Sequence, residues 1–583
     1  MAWYDEAVFY HIYPLGLTGA PKTNSYGAPE HRLNTLIPWI SHIKEIGCNA
    51  LYIGPLFESV GHGYETTDYK KLDSRLGDNK DLTNFVSECH KQGIKVILDG
   101  VFNHTGRDFF AFKDIQQNRE NSQYKDWYCN VNFYGNNEYN DGFSYDNWGG
   151  YNLLVKLNQR NPAVRDYICD VIRFWVSEFD IDGIRLDAAD VLDFDFMKSL
   201  RHVANEVKPD FWLMGEVIHG DYNRWVNEGT LHSVTNYQLH KALYSGHNDH
   251  NFFEIAHTVK RLYGMGGNRP DGLKLYNFVD NHDVERIYTK LYNKAHFVPV
   301  HVLLYTLPGV PSIYYGSEFG IEGKKEKFSD DSLRPALSLD DYKDALTNNV
   351  CTKTIAALGF ARQKIKALSY GDYRELMLTN RQYAYSRNFE NESAIITANN
   401  DDSSYVMTVP AGNAAVYVGV LSGEHVANNN GNITVNIPAN SGDIWISEEE
   451  YNRIYDGSDT STKTASTDVE IQEENENITA VETAPDDNTS TVDDSACENT
   501  SKENVNTDNN TLAESTSDNG VQTDNTSADD SAYKAAYEDG VIAGLHEAII
   551  ARMEKNGFVT DQMRRDVYNN THHDSLINWI KSF

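Results

Sequence analysis

Lys95-Val-Ile-Leu-Asp99-Gly-Val-Phe-Asn-His104 is a β-type apolar run that ends on an acid and, five residues later, a histidine. An unbroken apolar run of this length fits a strand buried on both faces, as in a parallel sheet. Three further segments repeat the theme: Gly183-Ile-Arg-Leu-Asp187, Met214-Gly-Glu-Val217 and Phe278-Val-Asp-Asn-His-Asp283. Working outward, strands are expected over 7–14, 50–56, 95–102, 183–187, 212–217, 234–239, 274–280 and 312–315. Helical periods separate them over 33–46, 81–92, 162–178, 195–207 and 252–262. Asn161-Pro162 marks one helix start, because Pro fits the first helical position. Eight strands alternating with helices predict an α/β fold, a (β/α)8 barrel over 1–104 and 153–368.

Residues 105–152 interrupt the alternation. They are rich in Asn, Gly and aromatics and too long for a plain connection, so they are expected to form a small subdomain B over the barrel mouth. Beyond a helix at 353–367, short alternating segments over 369–450 predict a C-terminal antiparallel β-sandwich. From Gly457 to Asp530 there are 19 acidic residues against 2 lysines. With almost no large apolar side chains, 451–530 is expected to be an acidic disordered linker. Residues 531–583 regain helical spacing at Tyr533, Tyr537, Val541, Leu545, Ile549 and Met553 and predict a small helical module. That module reads first as a minor accessory bundle, with docking of an unknown partner as the alternative.

A net charge of −34 argues against nucleic acid and anionic membrane surfaces as partners. The 36 tyrosines suit a sugar-lined cleft, since the ring covers apolar C–H groups while the hydroxyl meets sugar oxygens. Most of them simply pack. The six cysteines are scattered without paired spacing, which fits a reducing compartment. The first lysine is Lys22 and no basic n-region precedes an apolar stretch, so the reading is cytoplasmic.

Strand-terminal carboxylates on a barrel converge on one mouth, and Asp187, Glu216 and Asp283 follow three separate expected strands. Glycoside hydrolysis needs an acid for the leaving oxygen and a carboxylate facing the anomeric carbon. The four quoted segments together resemble the α-amylase family of glycoside hydrolases, as does His62-Gly-Tyr-Glu-Thr-Thr-Asp-Tyr69 after the second strand. The likeness covers roughly 1–450, and Leu154-Val-Lys-Leu-Asn158 resembles neopullulanase and cyclomaltodextrinase relatives.

By that resemblance Asp187 is the nucleophile, Glu216 the general acid/base and Asp283 the residue that grips ring hydroxyls. Tyr64 is the sugar platform, and His104, His282, Arg185 and Asp99 line the substrate or support it. Arg185 shares a strand face with Asp187 and is expected to hold it ionised. Glu216 has no cation beside it in sequence and is expected to keep a proton among Phe211, Trp212, Leu213 and Met214. The chemistry requires no cofactor. Asn103 matches a position where many relatives bind calcium, yet 105–152 shows no convincing set of oxygen ligands, so calcium is allowed but not favoured. The implied activity is retaining cleavage of α-1,4-glucosidic bonds in maltooligosaccharides, with cyclodextrin and pullulan as further substrates. Glucan transfer is the alternative, and a catalytically inactive carbohydrate-binding scaffold is a weaker one.

Overall fold

The computed structural model describes residues 2–262, 273–327 and 329–455. The barrel strands are β1 (Phe9–Ile12), β2 (Ala50–Ile53), β3 (Lys95–Gly100), β4 (Gly183–Leu186), β5 (Trp212–Gly215), β6 (Ser233–Val234), β7 (Tyr276–Asn277) and β8 (Val310–Tyr314). Their order is β6-β5-β4-β3-β2-β1-β8-β7, every pairing parallel. The ring closes where Thr235 bridges Tyr276 and the Asn236 N–H donates to Tyr276 O at 2.9 Å. All eight expected strands are present. The sixth is shorter than 234–239, because Asn236 caps a helix, Tyr237–Asn248, by accepting from the Leu239 N–H.

The two-residue period of each strand sorts the barrel interior into layers. Phe9, Ala50, Ile97, Trp212 and Tyr276 fill an apolar layer, with the Phe9 and Trp212 rings stacked 5.0 Å apart. Two residues further along the same faces stand His11, Tyr52, Asp99, Arg185 and Met214. Asp187 and Glu216 come two later again, at the mouth. The charged site is therefore one register step above a hydrophobic plug.

Helices begin where the sequence provides caps. Asp78 accepts from the Lys80 and Asp81 N–H groups at the start of Asn79–Lys91, and Asp81 returns a bond to the Asp78 N–H. Asn161 and Pro162 open Pro162–Phe179 as expected, and Asp180 ends it in a left-handed conformation. Among the described residues no helix is long and apolar enough to cross a membrane.

The insertion after β3 forms a helix, Phe110–Asn118, and a three-stranded sheet of His104–Thr105, Tyr151–Lys156 and Asn147–Trp148. A boundary at 152 cuts that last long strand, so the subdomain runs on to Lys156. Its core ion pair is Arg107 to Asp141 at 2.8 Å, with the guanidinium 3.8 Å over the Tyr139 ring.

The C-terminal region carries β9 (Arg374–Leu378), β10 (Gln382–Phe389), β11 (Glu392–Asn399), β12 (Tyr405–Pro410), β13 (Val416–Gly419), β14 (His425–Ala427), β15 (Asn432–Ile437) and β16 (Ser441–Ser447). Six form one sheet in the order β9-β10-β11-β16-β13-β14, and β12 pairs β15. Strands β9 and β14 lie at the two sheet edges and show no clear alternation, so the sequence did not announce them. Helix Glu448–Tyr455 follows and buries Ile454, which moves the start of the expected linker from 451 to beyond Tyr455. The rest of that linker and the helical module lie outside the described residues.

Several core histidines are held neutral by burial. His104 and His301 are pushed down to about 4, His232, His240 and His247 to about 3. In the unfolded chain these groups bind protons near pH ~6.5. Between pH ~6.5 and 4 the unfolded state therefore binds more protons, so these groups withdraw stability as pH falls. For His301, lowered from 6.5 to about 4, the loss by pH 4 is about 3 kcal/mol. Urea unfolding between pH 7 and 4 should show a flatter dependence for His301→Gln than for the wild type. Equal slopes would refute this account.

Candidate active site

Asp187 and Glu216 each stand one residue past a strand end and are fixed through the backbone to the neighbouring strand. The Asp187 N–H donates to Gly100 O at 3.1 Å and the Glu216 N–H to Leu186 O at 2.9 Å. Arg185, 3% exposed, lies between them on the same lumen. Its Nη1 meets Asp99 Oδ1 at 2.8 Å, Asp99 Oδ2 at 3.0 Å and Asp187 Oδ1 at 2.9 Å. Its Nη2 meets Glu216 Oε2 at 2.8 Å. The Tyr52 hydroxyl donates to Asp99 Oδ2 at 2.9 Å.

This bears on two expectations. Asp99 has a fully buried side chain and Arg185 one that is 4% exposed, and their ion pair gives Asp99 the supporting place that was one of its two expected roles. Asp99 anchors the arginine, and the arginine positions both acids. Arg185 does not single out Asp187, since strands 4 and 5 are neighbours and one planar fork spans both carboxyls. Burial pushes the Asp187 carboxyl up and Arg185 pulls it down. The charges of Glu216, Asp99 and Asp283 reinforce burial and leave it well above the usual carboxylate range.

After Asp187 the chain turns sharply. Ala188 adopts a left-handed conformation (φ 45°), unusual for a residue with a Cβ, and aims its N–H at Glu216 Oε2, 3.1 Å away.

Asp283 arrives from the segment after β7. Its Oδ2 is 3.0 Å from His282 Nε2 and its Oδ1 2.8 Å from Arg334 Nη2. Burial pushes this carboxyl up, yet His282, Arg334 and Arg185 outweigh burial and hold it well below the usual range. The Tyr64 hydroxyl also bonds to His282 Nε2, and the two rings stack at 5.7 Å. Tyr64, half-buried, thus sits beside Asp283. His104 is 2% exposed, and its Nε2 has no hydrogen-bond partner among the described residues. The fold therefore brings Tyr64, His104, His282, Asp187, Glu216 and Asp283 to one mouth.

Sequence reasoning missed two neighbours. Arg334 lies in the long segment after β8, where no period marks it. Tyr237 follows strand 6 directly, a strand-end position that could have drawn notice; its hydroxyl is 3.3 Å from Glu216 Oε1.

The fit of a calcium ion at Asn103 can be tested on the donors around it. Asn103 is fully buried, with Oδ1 facing Gln159 Nε2 at 3.4 Å and Nδ2 facing His104 Nδ1 at 3.2 Å. Two nitrogen partners and no carboxylate do not make the several-oxygen set that a hard cation needs.

A family model described as the Alpha amylase catalytic domain matches residues 23–354, and one for the Alpha-amylase C-terminal domain matches 371–445. A cyclomaltodextrinase of Bacillus sp is 30% identical over 435 residues, 70% of this chain and 75% of its own. Neopullulanase 2 of Thermoactinomyces vulgaris is 30% identical over 464 residues, 75% of this chain and 76% of its own. An intracellular maltogenic amylase of Bacillus subtilis is 29% identical over 344 residues, 56% and 57% of the two chains. Among solved structures, a cyclomaltodextrinase superposes with a TM-score of 0.67 at 26% identity, covering 76% of this chain and 78% of that one. The Nostoc punctiforme debranching enzyme gives 0.65 at 26%, covering 76% and 99%. With the barrel, the three acids and both domain models in agreement, the chain belongs to the α-amylase family of glycoside hydrolases.

Proposed function

We propose that this protein is a retaining hydrolase of α-1,4-glucosidic bonds in maltooligosaccharides, cyclodextrins and pullulan. The observation that carries the reading is the single guanidinium of Arg185 gripping Asp187 and Glu216 together. Bonds from two nitrogens of one guanidinium hold a nucleophile and an acid at one locus, as cleavage of a single glycosidic bond by a carboxyl pair requires.

In the first step Asp187 attacks the anomeric carbon while the glycosidic C–O bond breaks and the departing oxygen takes a proton from Glu216. In the second, water attacks the same carbon, gives its proton to Glu216 and releases Asp187. Asp283, ionised by His282 and Arg334, faces the ring hydroxyls, while Tyr64 supplies an aromatic face to the sugar. No step needs a metal ion. The names of the cyclomaltodextrinase and neopullulanase relatives favour cyclodextrin and pullulan, and that of the Bacillus subtilis relative favours action inside the cell.

The test is chromatography of products from maltotriose, maltoheptaose, pullulan and β-cyclodextrin, with and without EDTA. Shorter oligosaccharides from these substrates in both conditions are expected. Products longer than maltotriose would favour glucan transfer, and no turnover of any of them would refute the reading.

A further inference from the structure

The donors around Glu216 divide its two oxygens unequally. Oε2 is held by Arg185 Nη2 at 2.8 Å and by the Ala188 N–H at 3.1 Å. Oε1 has one hydrogen-bond partner among the described residues, the Tyr237 hydroxyl at 3.3 Å. That hydroxyl also receives a bond from Asn281 Nδ2 at 3.3 Å. The orientation of the Asn281 amide follows from its other end. Its Oδ1 accepts from the Asp283 N–H at 2.8 Å and the Val284 N–H at 3.0 Å, so the nitrogen must face Tyr237. The direction of the chain is then fixed: Asn281 donates to Tyr237, and Tyr237 donates to Glu216.

The ring itself cannot wander. Asn236 is tied to strand 7 by its Nδ2 on Asn277 Oδ1 at 2.8 Å, and the Tyr237 ring meets Phe278 edge-on at 4.9 Å. Burial, with the nearby charges of Glu216 and Asp283, pushes the phenol well above its usual range and so keeps it a donor.

We propose that Tyr237 is a positioning residue of the hydrolytic reaction, its hydroxyl orienting Glu216 Oε1 and stabilising the carboxylate left when that oxygen's proton departs. The inference rests on the hydrolytic reading above and adds a residue to it. Oε2, tied by a cation and a backbone N–H, is poorly placed to carry the transferable proton. Oε1 faces a neutral donor that can turn with it, and it delivers the proton to the leaving oxygen. The bond from Tyr237 strengthens as the negative charge appears, the condition for accelerating the step.

Tyr237→Phe keeps the ring contacts and removes only the hydroxyl. With maltotriose as substrate, kcat is expected to fall about tenfold, the low end for a bond to a charged group. The alkaline limb of kcat/KM should move to higher pH, because the charged form of Glu216 has lost a donor. α-Maltosyl fluoride leaves without protonation, so its turnover should fall less than twofold. Loss of the same size on both substrates, or an unmoved alkaline limb, would overturn the proposal. Wild-type protein inactive on both substrates would instead remove the glucan reading on which it stands.

Discussion

Asp187→Asn should lower kcat on maltotriose by about 10⁴-fold or more, the scale seen when a nucleophile that forms a covalent intermediate is lost. An amide oxygen does not form the glycosyl ester, and no other acid is placed to replace it. Asp99 is sealed beneath Arg185, and Asp283 is held by His282 and Arg334. Glu216→Gln should behave differently. It removes proton donation, about 10²–10⁴-fold on maltotriose, but spares the first step for α-maltosyl fluoride, whose leaving group needs no proton. First-turnover rates, read as the burst of fluoride release from α-maltosyl fluoride and as single-turnover cleavage of maltotriose, make a four-way comparison of the two variants. If Glu216→Gln lost activity equally on both substrates, or Asp187→Asn retained more than a few per cent, the assigned roles would be wrong.

Arg185→Met should be damaging without altering either acid. It leaves Asp99, Asp187 and Glu216 facing one another around a hole, with a side chain at the arginine position that cannot bridge them. Removing one partner from a buried ionic cluster costs about 3–5 kcal/mol, partly relieved where the acids take up protons. Activity should fall at least about 10³-fold, because both acids lose their orientation at once. Arg185→Lys should rescue little. A point charge with three donors does not reproduce a planar fork that bonds three carboxylates in fixed directions. Urea midpoints and kcat/KM for the two variants check this, and wild-type activity in either would refute the arrangement.

The barrel was legible because its signal is local. Each parallel strand, buried on both faces, must be a short apolar run, and each helix must show a 3.6-residue period and a cap. Asn161-Pro162 and Asp78 announced helices that the structure contains. The misses occurred where local signals are weak. Strands β9 and β14 are sheet edges without clear alternation, and Tyr151–Lys156 pairs with two-residue strands, one of them at the distant His104–Thr105. Helix Glu448–Tyr455 begins with three glutamates, so its composition resembles the acidic stretch that follows.

By itself the sequence determined the reaction class, because acids at or shortly beyond strand ends share a barrel mouth whatever the detail of packing, and the motifs around them resemble one family. Only the tertiary structure decided how those acids are wired. Strand order sets Arg185 between Asp187 and Glu216, ties Asp99 to it, and draws Arg334 and Tyr237 to the site from distant segments. Charge state follows from that wiring. A carboxyl responds to every charge and to the loss of water within a few ångströms, and neighbours across strands are invisible to sequence spacing.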